Sequence, residues 1–465
     1  MFFATIPAAT EFYHGTSSEY RVNNTEWLAF EPEHALVFAN CHGPGKGNKG
    51  HPPPPPPSSV DHVRADNPGN VEQDSRFVDQ GGDRFDVHTF GRYPPPDDNE
   101  PCEGYLHTYR TAKELRLLYL DGQSAAKSDK GTLDVQDIIL RDPGFEADSP
   151  PKDPSRRPGG PPSEQLRAVE LCHRAETEWK GKIDGILRME AGFEVILCSF
   201  EDNLDLVSIK QESPRKSGPG TRDPADQLNY YRAVAARFDG IGGHRVSLDY
   251  DSFVSVYAYA NATEINDVGL PRVVNESYII EDIRSDVTEM LTRPGSSFTD
   301  SLDWQAITDM IVARYAHRIA SLASTSTTTF DSLHAGLDRA LRPFIDYSNR
   351  NATLEIARCA TQFLSPEAIV SDSMAAIAVK TTYTHLCQSL SDALMSETFD
   401  EAVLLIRELK HWLAWSTWKK CVGCQLDEVC VVPIWPWGSK QDFEQPSCSN
   451  MTGVPNNDYW GPPRG

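Results

Sequence analysis

Residues 12–39 read FYHGTSSEYRVNNTEWLAFEPEHALVFA, and this stretch decides how the first half of the chain is built. Phe12 and Tyr13 open an apolar strand that runs into His14-Gly15-Thr16. A second apolar strand, Trp27–Phe30, follows, and then a short helix over 32–39. Strands and a helix in so short a span predict an α+β domain.

The pattern continues outward. Residues 105–121 (YLHTYRTAKELRLLYLD) give two β-rich stretches around a turn at 112–114. Residues 163–179 place Leu166, Val169 and Cys172 three apart, a helical spacing. Residues 184–189 and 193–200 (DGILRM and FEVILCSF) flank a turn and read as a hairpin. From about 227 onward the apolar spacing is mostly helical, with Ile307, Met310, Ile311, Tyr315, Ile319 and Leu322 as one face and Phe330, Leu333, Leu337 and Leu341 as another.

In this order the pieces of the first 211 residues resemble the ADP-ribosyltransferase superfamily, in the branch whose three motifs centre on His, Tyr and Glu. The carrying motifs are Tyr13-His14-Gly15-Thr16, Trp27-Leu28-Ala29-Phe30 with its helix, Asp184-Gly185-Ile186 and Phe193-Glu194-Val195-Ile196. The resemblance implies a split β-sheet and cleavage of NAD at the nicotinamide–ribose bond, with transfer to a protein or small-molecule acceptor or to water. It implies His14 on a ribose hydroxyl, the Gly15 backbone with Thr16 beside the nicotinamide amide, and Trp27 or Phe30 flanking the ring where the family has tyrosine. Glu194 would stabilise the oxocarbenium ion that develops at the ribose. A glycine allows close backbone approach of a ligand, and a carboxylate suits a developing cation. NAD enters as substrate, and no metal is expected.

The whole chain is also similar to a group of uncharacterised fungal secreted proteins, through residues 14–39, 104–122, 237–260 and 415–421. The domain reading is therefore an ADP-ribosyltransferase-like domain over 1–211, a linker over 212–226, a mainly helical domain over 227–416 and a Cys/Trp-rich cap over 417–465. Residues 46–100 and 146–163 are rich in proline and poor in aliphatics, and read as disordered insertions.

Composition bounds the function. The chain has 465 residues and 44 Lys+Arg against 67 Asp+Glu, a net charge of −23. No basic cluster suits a nucleic-acid backbone or an anionic membrane surface, and no run of apolar residues is long enough to span a bilayer. Ten cysteines and five glycosylation sequons, at Asn23, Asn261, Asn275, Asn351 and Asn450, point to the secretory route, although MFFATIPAAT does not read as a signal peptide.

Several smaller motifs leave alternatives open. Cys421, Cys424, Cys430 and Cys448 read as two disulfides closing a cap, or as a zinc site. Cys359 and Cys387 staple two helices or are buried thiols. Six of nine tryptophans fall after position 411 and either pack beneath the cap or bind a glycan face. Asp249-Tyr250-Asp251 reads as a capping turn ahead of a metal-binding pair. The readings that compete with an enzyme are a non-catalytic wall or glycan-binding glycoprotein and a tailoring protein of fungal secondary metabolism.

Overall fold

The computed structural model describes residues 1–39, 104–122, 134–142, 164–190, 192–212, 224–235, 240–266, 269–293, 302–326, 328–431 and 439–451. The proline-rich stretches expected at 46–100 and 146–163 lie outside these residues, as do Cys41, Cys102, Trp435, Trp437 and Trp460.

The first part is a mixed sheet of nine strands: β1 (Phe2–Ile6), β2 (Glu11–Thr16), β3 (Glu26–Ala29), β4 (Tyr105–Thr111), β5 (Leu115–Tyr119), β6 (Gly185–Glu190), β7 (Gly192–Leu197), β8 (Leu204–Gln211) and β9 (Ser247–Leu248). Their order is β8-β4-β2-β3-β7-β6-β5-β1-β9. Among the described residues only the β5–β6 pair is parallel. Three short helices join these strands, α1 (Pro32–Leu36), α2 (Glu164–Glu176) and α3 (Phe200–Asn203), and residues 135–140 form a π-helix.

Strand alternation sends side chains to two cores. Phe12, Leu28, Leu117, Leu187 and Val195 fill one face. Leu118, Ile186 and Ile196 fill the other, beneath Ala168 and Leu171 of α2 and Ile139 of the π-helix.

A helix α4 (Pro224–Ala235) and a hairpin of β10 (Thr263–Ile265) and β11 (Pro271–Val273) come next. The helical part contains α5 (Ser277–Thr292), α6 (Trp304–Leu322), α7 (Phe330–Leu341), α8 (Ala352–Thr361), α9 (Pro366–Val370), α10 (Met374–Met395) and α11 (Phe399–Leu413). The cap holds β12 (Val429–Cys430), α12 (Lys440–Glu444) and β13 (Cys448–Ser449). The sequence reading assigns residues 227–416 to the helical domain. In the structure, α4 starts at Pro224, β9 pairs with β1, and α5 buries Ile279, Ile283 and Val287 in the core that α2 shares with the sheet. A two-residue strand and an amphipathic helix leave no local signal of which sheet they join.

The helical core runs from Trp304 to Leu409, and Cys359–Cys387 ties α8 to α10 inside it, both sulfurs fully buried. A bridge over 28 residues restricts the unfolded chain. Replacing both cysteines by alanine should lower stability by about 3 kcal/mol, read as a lower midpoint in urea unfolding followed by helical circular dichroism.

Candidate functional site

The sheet is nearly divided between β2 and β3. Six residues of β2 pair with β4, whereas β2 meets β3 at Tyr13↔Ala29 alone. The alternation of antiparallel hydrogen bonds fixes which backbone groups face the gap. Thr111 N–H donates to the Thr10 carbonyl at 2.9 Å, so even-numbered residues of β2 bond to β4. Phe30 N–H donates to the Phe193 carbonyl at 3.4 Å, so Trp27 and Ala29 aim their backbone at β2. Tyr13 and Gly15 aim theirs at β3.

The next pair of the ladder would be Gly15 with Trp27, and the His14 side chain takes the carbonyl of Trp27, with Nδ1 at 2.8 Å. The Gly15 peptide groups therefore lie past the end of the ladder, facing the gap. A Cβ on Gly15 would stand 1.9 Å from the carbonyl oxygen of Ala35 in α1, so only glycine allows α1 to pack there.

Because a carbonyl only accepts, Nδ1 of His14 carries the proton and Nε2 keeps its lone pair. The ring is buried, touching Phe200 and His107, and desolvation lowers its pKa from 6.5 to about 4. His107, directly across on β4, is also buried and also held below its usual range by desolvation. Its Nε2 donates to the Ser18 carbonyl at 2.8 Å, and its Nδ1 faces the Tyr109 hydroxyl at 3.2 Å. Burial pushes the Glu26 carboxyl up to about 7.

Glu194 sits on β7 opposite Ala29, one strand beyond the gap. It shares a face with Ile196, Trp27, Ala29 and Tyr13, whereas His14, two residues from Phe12, shares the other face with Phe30. The structure thus brings Gly15, Trp27 and Glu194 to one side and His14, Thr16 and Phe30 to the other.

Glu194 is held by Arg188, its cross-strand neighbour on β6, through Nε at 2.8 Å. Arg188 also reaches Gln136 of the π-helix at 2.8 Å and Glu164 of α2 at 2.7 Å. Glu164 accepts in turn from Arg167 at 2.5 Å, and Arg167 from its other nitrogens bonds Asp137. Charges alternate along this chain from the sheet core outward. Sequence reading found Glu194 but neither Arg188 nor Glu26, whose neighbours are set by cross-strand register.

The other motifs resolve more simply. Asp249 accepts from the Asp251 N–H at 2.9 Å and from the Ser252 hydroxyl at 2.7 Å, which makes a capping turn. The cap cysteines form Cys421–Cys430 and Cys424–Cys448, and Cys172–Cys198 links α2 to the end of β7. Trp418 donates its indole N–H to the Ala316 carbonyl at 2.9 Å and packs with Trp415 on the helical core, while Trp412 is 52% exposed beside His385. No helix among the described residues is long and apolar enough to cross a membrane.

Residues 1–218 match the family described as the YPL277C N-terminal domain. The chain is 27% identical over 388 residues to the Saccharomyces cerevisiae protein described as Uncharacterized protein YOR389W, covering 70% of this chain and 55% of that one. It is 28% identical over 382 residues to Uncharacterized protein YPL277C of the same yeast, covering 69% of each. The chain therefore spans just over half the length of the first relative. No solved structure matches. These likenesses support an uncharacterised fungal protein family and bring no activity with them.

Glu26 and His14 impose opposite pH dependences. The Glu26 pKa is raised from 4.5 to about 7, so its contribution to stability is fully present below pH 4.5 and is lost as pH rises to about 7. The His14 pKa is lowered from 6.5 to about 4, so its contribution is fully present above pH 6.5 and is lost as pH falls to about 4. In the shared window the two slopes offset each other. Glu26→Gln should expose the histidine slope, so that Tm falls more steeply between about pH 7 and about pH 5 than in the wild-type protein. Parallel Tm profiles would show that Glu26 is ionised in the native state.

Proposed function

We propose that the gap between β2 and β3 binds NAD and that the chain cleaves its nicotinamide–ribose bond, as an ADP-ribosyltransferase or NAD glycohydrolase. The observation that carries this reading is the Trp27 carbonyl diverted to His14 at the end of a one-pair β2–β3 ladder, which leaves the Gly15 peptide groups facing the gap. A primary amide such as that of nicotinamide offers the matching acceptor and donor. His14, neutral and with Nε2 as an acceptor, suits a ribose hydroxyl. Glu194 lies on the next strand but one from Gly15, on the face that Trp27 shares.

In the proposed reaction the C1′–N bond breaks with its electron pair leaving on nicotinamide. Positive charge develops on the ribose ring, and the Glu194 carboxylate opposes it. Arg188 fixes the rotamer of Glu194 and partly neutralises it, so the carboxylate is oriented before substrate arrives. Water or an acceptor side chain then adds at C1′ and gives up a proton.

The test is nicotinamide release from NAD by the purified chain, beside Glu194→Gln. Release should fall by at least about a hundredfold in the variant, the scale of losing one electrostatic stabiliser. The variant is isosteric and leaves Arg188 its bonds to Glu164 and Gln136, so an unchanged circular dichroism spectrum would separate chemistry from folding. Turnover equal to the wild-type value would overturn the assignment. Absence of turnover in both proteins, with no rise in Tm on adding NAD, would leave a non-catalytic glycoprotein as the better reading.

We also propose passage through the secretory route. Four disulfides among the described residues call for an oxidising compartment. The asparagines of all five sequons are exposed, including Asn351 at the start of α8 and Asn261 in a turn. Chain isolated from a eukaryotic culture medium should lose mass on treatment with an N-glycan amidase. An unchanged mass, or chain found only inside the cells, would count against this route.

A further inference from the structure

The cap carries its cysteines as C-x2-C-x5-C-x17-C over Cys421, Cys424, Cys430 and Cys448. Its described residues bury Val429, Val431 and Met451, all against Tyr230, Tyr231 and Val234 of α4, and its two strands have two residues each. So small a core needs a staple to hold a fold. The two disulfides that supply it are neighbours. The sulfur atoms of Cys421, Cys424 and Cys448 lie within 4.8 Å of one another, and Cys430 is bonded to Cys421. Four thiolates around a tetrahedral zinc ion, at Zn–S of about 2.3 Å, stand about 3.8 Å apart. On reduction each bonded pair would open to about 3.8 Å and the other sulfurs of the cluster would close by up to about 1 Å, with Cys430 brought in as the fourth ligand.

Local backbone favours that conversion. Gly423 lies at φ +80°, which turns the C-x2-C loop so that both its sulfurs face the cluster. The Cys421 N–H donates to Cys430 Sγ at 3.1 Å, a bond that would stabilise a thiolate there. Lys419 and Lys420 precede Cys421 and favour thiolate charge. All four cap cysteines are partly exposed, whereas Cys359 and Cys387 are fully buried.

We infer that the reduced cap is a zinc site, in which Cys421, Cys424, Cys430 and Cys448 hold one Zn2+ as four thiolates and the cap keeps its seat on α4. With a water-soluble phosphine as reductant, each disulfide consumes one phosphine and one water and yields two thiols and one phosphine oxide. Zinc binding to the four thiols then releases four protons. This inference is independent of the NAD reading.

The experiment uses the full chain, reduced by the phosphine under native conditions, with alkylation and peptide mass mapping of a parallel sample to show which cysteines are free. Titration with Co2+ should give one ion per chain and the visible bands of tetrahedral thiolate ligation, with Zn2+ displacing the Co2+. Hydrogen exchange of α4 should match the oxidised protein once metal is bound and rise in the reduced, metal-free protein. Cys424→Ser with Cys448→Ser should abolish the bands. The proposal is overturned by less than one ion bound per chain at micromolar metal, by bands that survive in the double variant, or by loss of α4 protection with metal bound.

Discussion

One hydrogen bond governs the sheet domain: that of His14 to the carbonyl of Trp27. A strand at this position would ordinarily give that carbonyl to the neighbouring strand. Here His14 takes it, and the ladder between β2 and β3 has one pair. Buried backbone groups must be satisfied by some partner, and His14 does this at a cost in its own titration. Glu26 is pushed towards its neutral form and His14 loses its proton, because a desolvated site penalises charge on either. The same diversion leaves Gly15 facing a gap in the sheet, with α1 packed so close that no larger residue fits.

The second organising element is the chain of alternating charges from Glu194 through Arg188, Glu164 and Arg167 to Asp137. Arg188 is fully buried, and a lone guanidinium there would carry a prohibitive desolvation penalty. Three side-chain partners offset it, and in doing so they fasten α2 and the π-helix to the middle of the sheet. A buried ion pair adds little net stability over an apolar pair of the same shape. What it does add is a fixed rotamer for Glu194, one strand beyond the gap.

Much of this was legible in residue order. The hairpin around Glu190–Gly192, the turn between β4 and β5, the helix of residues 164–176 and the helical second half follow from periodicity and turn residues, which act over a few positions. The cysteine pairings of the cap and of α8 with α10 were among the alternatives that spacing allowed. Arg188 and Glu26 left no such trace. Arg188 matters because register sets it opposite Glu194, and Glu26 matters because the folded sheet buries its carboxyl. Both facts belong to pairings between segments far apart in the chain. The membership of β9 and α5 in the sheet domain has the same origin, since Met1 and Phe3 receive their partners from residues near 250.

The sequence by itself determined the strands and turns of residues 12–30, 105–121 and 184–197, the helix of residues 164–176 and the helical character of the second half. These depend on local sterics and on the alternation of apolar side chains, which are written into consecutive residues. Tertiary structure alone decided that His14 and Glu194 project from opposite faces, that the sheet opens between them, and that Glu194 is charge-paired in the core. The physical reason is register: one position along a strand exchanges the two faces of a sheet, and register is fixed only when the strands meet.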